Sequence, residues 1–166
     1  MDLRTLNRLS IAKARETFLA CCAATEWADT MTQRRPFHDL TALLAAAEEV
    51  WWDLTPEDWL EAFATHPRIG ERSNTDDMHS EWSSEEQAGV SDDDETRRLL
   101  ADANRAYEDQ FGFTYIVFAT GRTAEEMLDL CRQRLEHDEL HEYTVAAAEQ
   151  ARITNLRLRK LVAGSE

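Results

Sequence analysis

His66 closes a run in which Trp59, Ala62, Phe63 and His66 recur at i, i+3, i+4 and i+7. On a helix that spacing places the imidazole on the apolar face. Pro67 follows directly and disfavours the helical conformation for the residue before it, so the ring is expected at a helix end on a stiff backbone. Burial lowers an imidazole pKa and a helix C-terminus raises it. Balanced near neutrality, such a group transfers protons efficiently. A core histidine hydrogen-bonded at a helix end has the same spacing, and both readings stand.

Arg157 is the second group. Ile153, Arg157 and Leu161 are four apart, so the guanidinium emerges along an apolar stripe, which Arg152 and Arg159 do not share. A cation on a buried face needs an anionic partner. That partner is either an internal Asp or Glu or a carboxylate ligand held bidentately. Ser83 and Glu86 are the third group, at the spacing of a capping box. A Glu bonded to its own N-cap amide is less available to a substrate, so the structural and functional readings compete. Gln87 adds an amide that both donates and accepts.

Two other patterns carry less. His137-Asp138-Glu139-Leu140-His141 resembles the zinc motif His-Glu-x-x-His, but Asp138 replaces the Glu and no distal third ligand is apparent. A solvated helix face is the expectation, and no metal. Cys21, Cys22 and Cys131 lack metal-ligand spacing and read as buried thiols in a reducing cytoplasm.

These side chains have to be positioned by helices. Five glycines and three prolines are too few for the tight turns of a sandwich or barrel. Leu3, Leu6, Leu9, Ala14, Phe18, Cys21 and Cys22 keep helical spacing, and a short helix carries Trp27 and Met31. Asp39 or Thr41 caps a helix to Trp51, and Thr55-Pro56-Glu57-Asp58 opens another to about Thr65. Residues 70–82 read as a loop, followed by a short helix from Ser83 to about Gly89. Ser91 starts a longer helix to Phe111, Thr123 and Glu126 form a second possible capping box, and a last helix fills most of 138–162. Phe113-Thr114-Tyr115-Ile116-Val117-Phe118-Ala119 is β-prone, but a lone strand would be odd here. The expectation is an all-α, single compact domain over 1–166, of about eight helices, with one buried extended or irregular segment near 113–120.

Charge narrows the partners. Thirty-three acidic residues against 18 basic ones give −15, which argues against nucleic acid and against an anionic membrane surface. No N-terminal apolar run resembles a signal peptide, and none approaches the ~18 residues of a membrane span. A cytoplasmic protein is expected. An anionic substrate would be repelled at long range, so its site must hold local cations.

Several stretches together resemble the 2-oxo-4-hydroxy-4-carboxy-5-ureidoimidazoline (OHCU) decarboxylase family. They are Arg35-Pro36-Phe37, His66-Pro67-Arg68-Ile69-Gly70, Ser83-x-x-Glu86-Gln87-x-Gly89, Phe111-Gly112-Phe113, Tyr115-Ile116-Val117-Phe118-Ala119-x-Gly121-Arg122 and Leu156-Arg157-Leu158. They run in the expected order over about Leu6 to Leu161. The resemblance implies an all-α fold, usually a homodimer, that converts OHCU to (S)-allantoin and carbon dioxide in urate degradation. It implies a catalytic His66 and a substrate-binding Glu86, and the chemistry leads us to expect a catalytic part for Glu86 in orienting the imidazole or the substrate hydroxyl. It implies substrate contacts from Pro67, Ser83, Gln87, Arg157 and the backbone of Tyr115, Ile116, Val117, Phe118 and Ala119, and a pocket shared by His66 and Arg157. Phe118 stands where such enzymes often have a smaller residue. A ring carbonyl beside the carboxylate-bearing carbon can hold the electron pair as an enolate, so no cofactor is required. The rivals are a non-catalytic helical interaction module and a hydrolase acting on a related ureide.

Overall fold

Capping residues and apolar periodicity set the helix boundaries in the computed structural model, which describes residues 1–69 and 94–163. Among these residues there are eight α-helices and no strand. They are α1 (Leu3–Arg8), α2 (Ile11–Cys21), α3 (Thr25–Gln33), α4 (Leu40–Trp52), α5 (Pro56–Phe63), α6 (Asp94–Phe111), α7 (Ala124–Arg134) and α8 (Glu139–Ala163). The expected loop over 70–82, the helix from Ser83 to about Gly89, and Ser91, Glu86 and Gln87 lie outside the described residues.

The all-α expectation holds, with one change at the start. The periodic run from Leu3 to Cys22 is two helices, because the Ser10 hydroxyl accepts from Lys13 N and caps α2 afresh. Apolar spacing continued across that break and concealed it. Elsewhere the caps act as read. Asp39 accepts from Ala42 N to open α4, and Thr123 with Glu126 makes a reciprocal capping box at α7. Thr55 and Asp58 exchange bonds at the head of α5, with Thr55 N donating to Asp58 Oδ2 at 3.0 Å.

Two compact units divide the chain, one of Met1–Ala62 with Ala151–Glu166, the other of Phe63–Gln150. In the first, Phe18 meets Trp27 and Phe37 edge-on, with centroids 5.9 and 6.3 Å apart. Arg35 holds two helix ends by donating to the carbonyls of Leu6 and Leu9 at 2.9 Å and of Thr32 at 3.1 Å. The Leu6 carbonyl also accepts from the Leu9 amide at 3.4 Å, and at such helix ends, where carbonyls lack a full set of donors, a guanidinium is a suitable cap. Arg157 is fully buried in this unit, and its Nη1 donates to Cys21 O at the end of α2.

The second unit is built around aromatic rings. Tyr107 lies 4.7 Å from Phe111 and 5.2 Å from Tyr115, and Phe113 lies 5.2 Å from Phe63 and 5.0 Å from Tyr143. Beside them runs a buried polar network. Glu142 is fully buried, and Arg134 Nε donates to its Oε1 at 2.6 Å. Tyr107 OH donates to the same oxygen, and His137 Nδ1 lies 2.7 Å from Oε2. Burial pushes the Tyr107 and Tyr115 hydroxyls up, which keeps both as donors; Tyr115 OH donates to Met127 O at 3.1 Å. The Arg134 guanidinium also sits 4.9 Å above the Tyr115 ring.

Gly112 at φ +77° ends α6, with its amide on Glu108 O at 2.8 Å, and Gly121 at φ +80° turns the chain toward α7. A side chain at either would meet no atom, so the constraint is the left-handed backbone itself. Between them lies the largely buried 113–119 segment, neither helix nor strand, in keeping with the expected extended or irregular stretch. Arg68 follows the His66-Pro67 pair and grips Glu108 with two bonds of 2.8 Å, fixing that stretch to α6.

Two outcomes follow for stability. Glu142→Gln leaves the Arg134 cation buried without its counter-charge, and should destabilise the fold by about 3–5 kcal/mol; a urea midpoint corresponding to less than about 1 kcal/mol would show that the ion pair is dispensable. The hydrogen bonds and charge of Arg68 hold the Glu108 carboxyl below its ordinary value. Its contribution is therefore complete above the unfolded value of about 4.3 and is lost as pH falls through the lowered folded value. Urea midpoints measured down to about pH 3 should fall less steeply for Glu108→Gln than for the parent, and parallel slopes would dismiss the linkage.

Candidate active site

The helix that carries His66 ends slightly sooner than its apolar spacing suggests. α5 stops at Phe63, two residues before the expected Thr65, and His66 N donates to Phe63 O at 3.1 Å in a tight closing turn. Pro67 accounts for this, since it keeps its predecessor from continuing the helix. The imidazole is half-buried, as is Pro67, and Ile69 is buried beyond them. His66 Nε2 lies 2.6 Å from Oε1 of Gln150, a fully buried side chain on α8. The ring is therefore held from behind by an amide.

The 113–119 segment poses a physical question, because buried backbone groups must find partners and no strand among the described residues lies beside it. Side chains supply them. Arg134 Nη1 donates to Ile116 O at 2.6 Å, Arg122 Nε donates to Phe118 O at 3.1 Å, and Phe118 N donates to Glu149 Oε2 at 2.6 Å. Phe118 N, one of the backbone groups expected to face a ligand, here donates to a carboxylate of α8. Tyr115, Ile116, Val117 and Ala119 are buried and Phe118 half-buried.

His66, Pro67 and the 115–119 segment belong to one unit, and consecutive residues of α8 hold the ring and the segment. Arg157 belongs to the other unit, where its guanidinium reaches Cys21 O. Ser83, Glu86 and Gln87 lie outside the described residues. A cavity of about 220 Å³ in the second unit is lined by Val117, Arg122, Gln133, Arg134, His137 and Glu149 among others. Of the expected site residues only Val117 borders it, so its volume is not assigned to substrate.

Other candidates have structural surroundings. His137 bonds Glu142, and its ring meets that of His141 edge-on at 4.4 Å. The three cysteines are buried and unpaired with one another, and burial pushes the Cys22 and Cys131 thiols up to about 11. Neither thiol is a nucleophile near neutral pH. Among the described residues no group of three or more His, Cys, Asp or Glu is arranged to hold a metal ion.

Sequence reasoning missed Gln150, Glu149 and Arg134. A signal existed for Gln150, which stands three residues before Ile153 and seven before Arg157, a polar side chain on the same buried stripe. Arg134 had a similar signal, three residues after Cys131 and seven after Met127 on the buried face of α7, whereas Glu149 reaches a backbone amide distant in sequence.

Comparison with known proteins identifies the family. The sequence profile of the OHCU decarboxylase family matches residues 7–159. The uric acid degradation bifunctional protein TTL of Arabidopsis thaliana is 35% identical over 146 residues, 85% of this chain, which spans 45% of that protein. The 2-oxo-4-hydroxy-4-carboxy-5-ureidoimidazoline decarboxylase of Haloferax volcanii is 27% identical over 161 residues, 95% of this chain and 94% of that one. Among solved structures, the crystal structure of OHCU decarboxylase in the presence of (S)-allantoin superposes with a TM-score of 0.77 at 33% identity, covering 88% of this chain and 96% of that one. With a match that runs through His66, the 113–119 segment and Arg157, the chain belongs to the OHCU decarboxylase family.

Proposed function

We propose that this chain converts OHCU to (S)-allantoin and carbon dioxide, with His66 as the proton-transfer group. The observation that carries the reading is a half-buried imidazole, held 2.6 Å from a buried amide at a helix end, in a chain of the OHCU decarboxylase family. The chemistry suits such a group. Breaking the bond to the carboxylate releases carbon dioxide and leaves an electron pair that the adjacent ring carbonyl holds as an enolate. The protein then has to stabilise the developing charge and deliver a proton to one face of the carbon.

In this proposal Glu86 orients the imidazole or the substrate hydroxyl. Ser83, Gln87, Pro67 and the backbone of 115–119 contact the ureide. Glu149 engages the Phe118 amide, so ligand contact falls to the other groups of that segment. Arg157 supplies the local cation that a small anionic substrate needs against a net charge of −15. The reaction uses no cofactor and no metal. The working form is a cytoplasmic homodimer without nucleic-acid or membrane partners, a single decarboxylase domain spanning 1–166. No helix among the described residues is long and apolar enough to cross a membrane.

The test supplies OHCU generated in situ from urate and follows the optical activity of the product. Unaided decay gives racemic allantoin, so excess (S)-allantoin is the expected outcome and a racemate would overturn the reading. His66→Asn should lose about 10²–10⁴-fold in turnover, or about 3–5 kcal/mol of barrier, with the fold intact. Unchanged turnover would remove His66 from the chemistry. Light scattering at assay concentration should give twice the chain mass; a monomer that retains full activity would strike the dimer from the proposal.

A further inference from the structure

Gln150 is fully buried on α8, and its side-chain oxygen faces His66 Nε2 at 2.6 Å. An amide oxygen accepts and never donates, so the ring nitrogen in that contact must carry a hydrogen. The short separation fits N–H to oxygen better than a contact between two nitrogens. From this we infer that Gln150 is a positioning residue, which fixes the plane and tautomer of His66 so that Nε2 keeps its proton and Nδ1 exchanges one with the substrate. The inference rests on the proposed role of His66 and adds the residue through which the protein controls it.

The proton balance follows directly. With the imidazolium formed, carbon dioxide leaves and its bonding pair passes to the enolate. The Nδ1 proton moves to carbon, and the ring is left neutral with its hydrogen still on Nε2 and still bonded to Gln150. Solvent returns a proton to Nδ1 for the next cycle. The ring therefore keeps one anchor in both charge states, so no reorientation is needed between turnovers. A neutral acceptor is suited to this task. It fixes the tautomer without the added negative charge that would make the imidazolium reluctant to release its proton.

The experiment reads the ring itself, by nitrogen NMR of histidine-labelled protein, alongside steady-state kinetics. In the parent protein the His66 spectrum should show the Nε2–H tautomer. Gln150→Met, similar in length but without an acceptor, should lose that preference and lower kcat roughly 10- to 100-fold, with KM changed by less than about twofold. Gln150→Glu keeps an acceptor and should restore the Nε2–H form. An Nδ1–H ring in the parent, or an unaltered tautomer in Gln150→Met, would overturn the inference. The His66→Asn turnover separates the two levels. If that variant is fully active the proposed role of His66 fails, while the nitrogen spectra still decide whether Gln150 sets the ring.

Discussion

A stretch of buried backbone that is neither helix nor strand has to place its amides and carbonyls somewhere, and much of this molecule's second unit is organised by that requirement. In a sheet, neighbouring strands would satisfy residues 113–119. Here three long side chains take three of its backbone groups, Arg134 on Ile116 O, Arg122 on Phe118 O and Glu149 on Phe118 N, and the Arg122 amide takes Ala119 O. An unsatisfied buried polar group costs about 1–3 kcal/mol, so these contacts are a condition for the segment's burial. The requirement extends further. Arg134 can reach a buried carbonyl only because Glu142 balances its charge, and Tyr107 and His137 occupy further sites on that carboxylate.

How much of this was legible in the sequence depends on the kind of signal. Local signals survived well. Asp39, Thr55-Pro56 and the Thr123–Glu126 box open helices where they were read, because a cap is written within four residues. Pro67 and Gly112 mark ends for the same reason. Ser10 shows the limit, since its competing hydroxyl was masked by apolar spacing that continued on both sides of the break. The 113–119 segment was legible as an anomaly, being β-prone where no second strand was in prospect. What satisfied it was not legible, because Arg134, Arg122 and Glu149 reach it from places in the chain with no shared periodicity.

The candidate site divides along the same line. His66 was recognisable from its position on an apolar face before proline, and Arg157 from its place on an apolar stripe. Their environments were open in the sequence, where an internal partner and a ligand were equally consistent. The structure gives His66 a buried amide and Arg157 the carbonyl that ends α2. Family membership, which rests on several motifs in register across 7–159, supplies what neither residue carries alone.

The register of α8 has a consequence for how this sequence can vary. Glu142, Glu149 and Gln150 lie within about two turns of one another, and each is tied to a different element. Inserting or deleting one residue between Glu142 and Glu149 would swing everything beyond it by about 100° around the helix axis. The ring anchor and the segment anchor would then miss together. Length changes should accumulate in the connections between helices, while the interval from 142 to 150 keeps its count even where its letters drift.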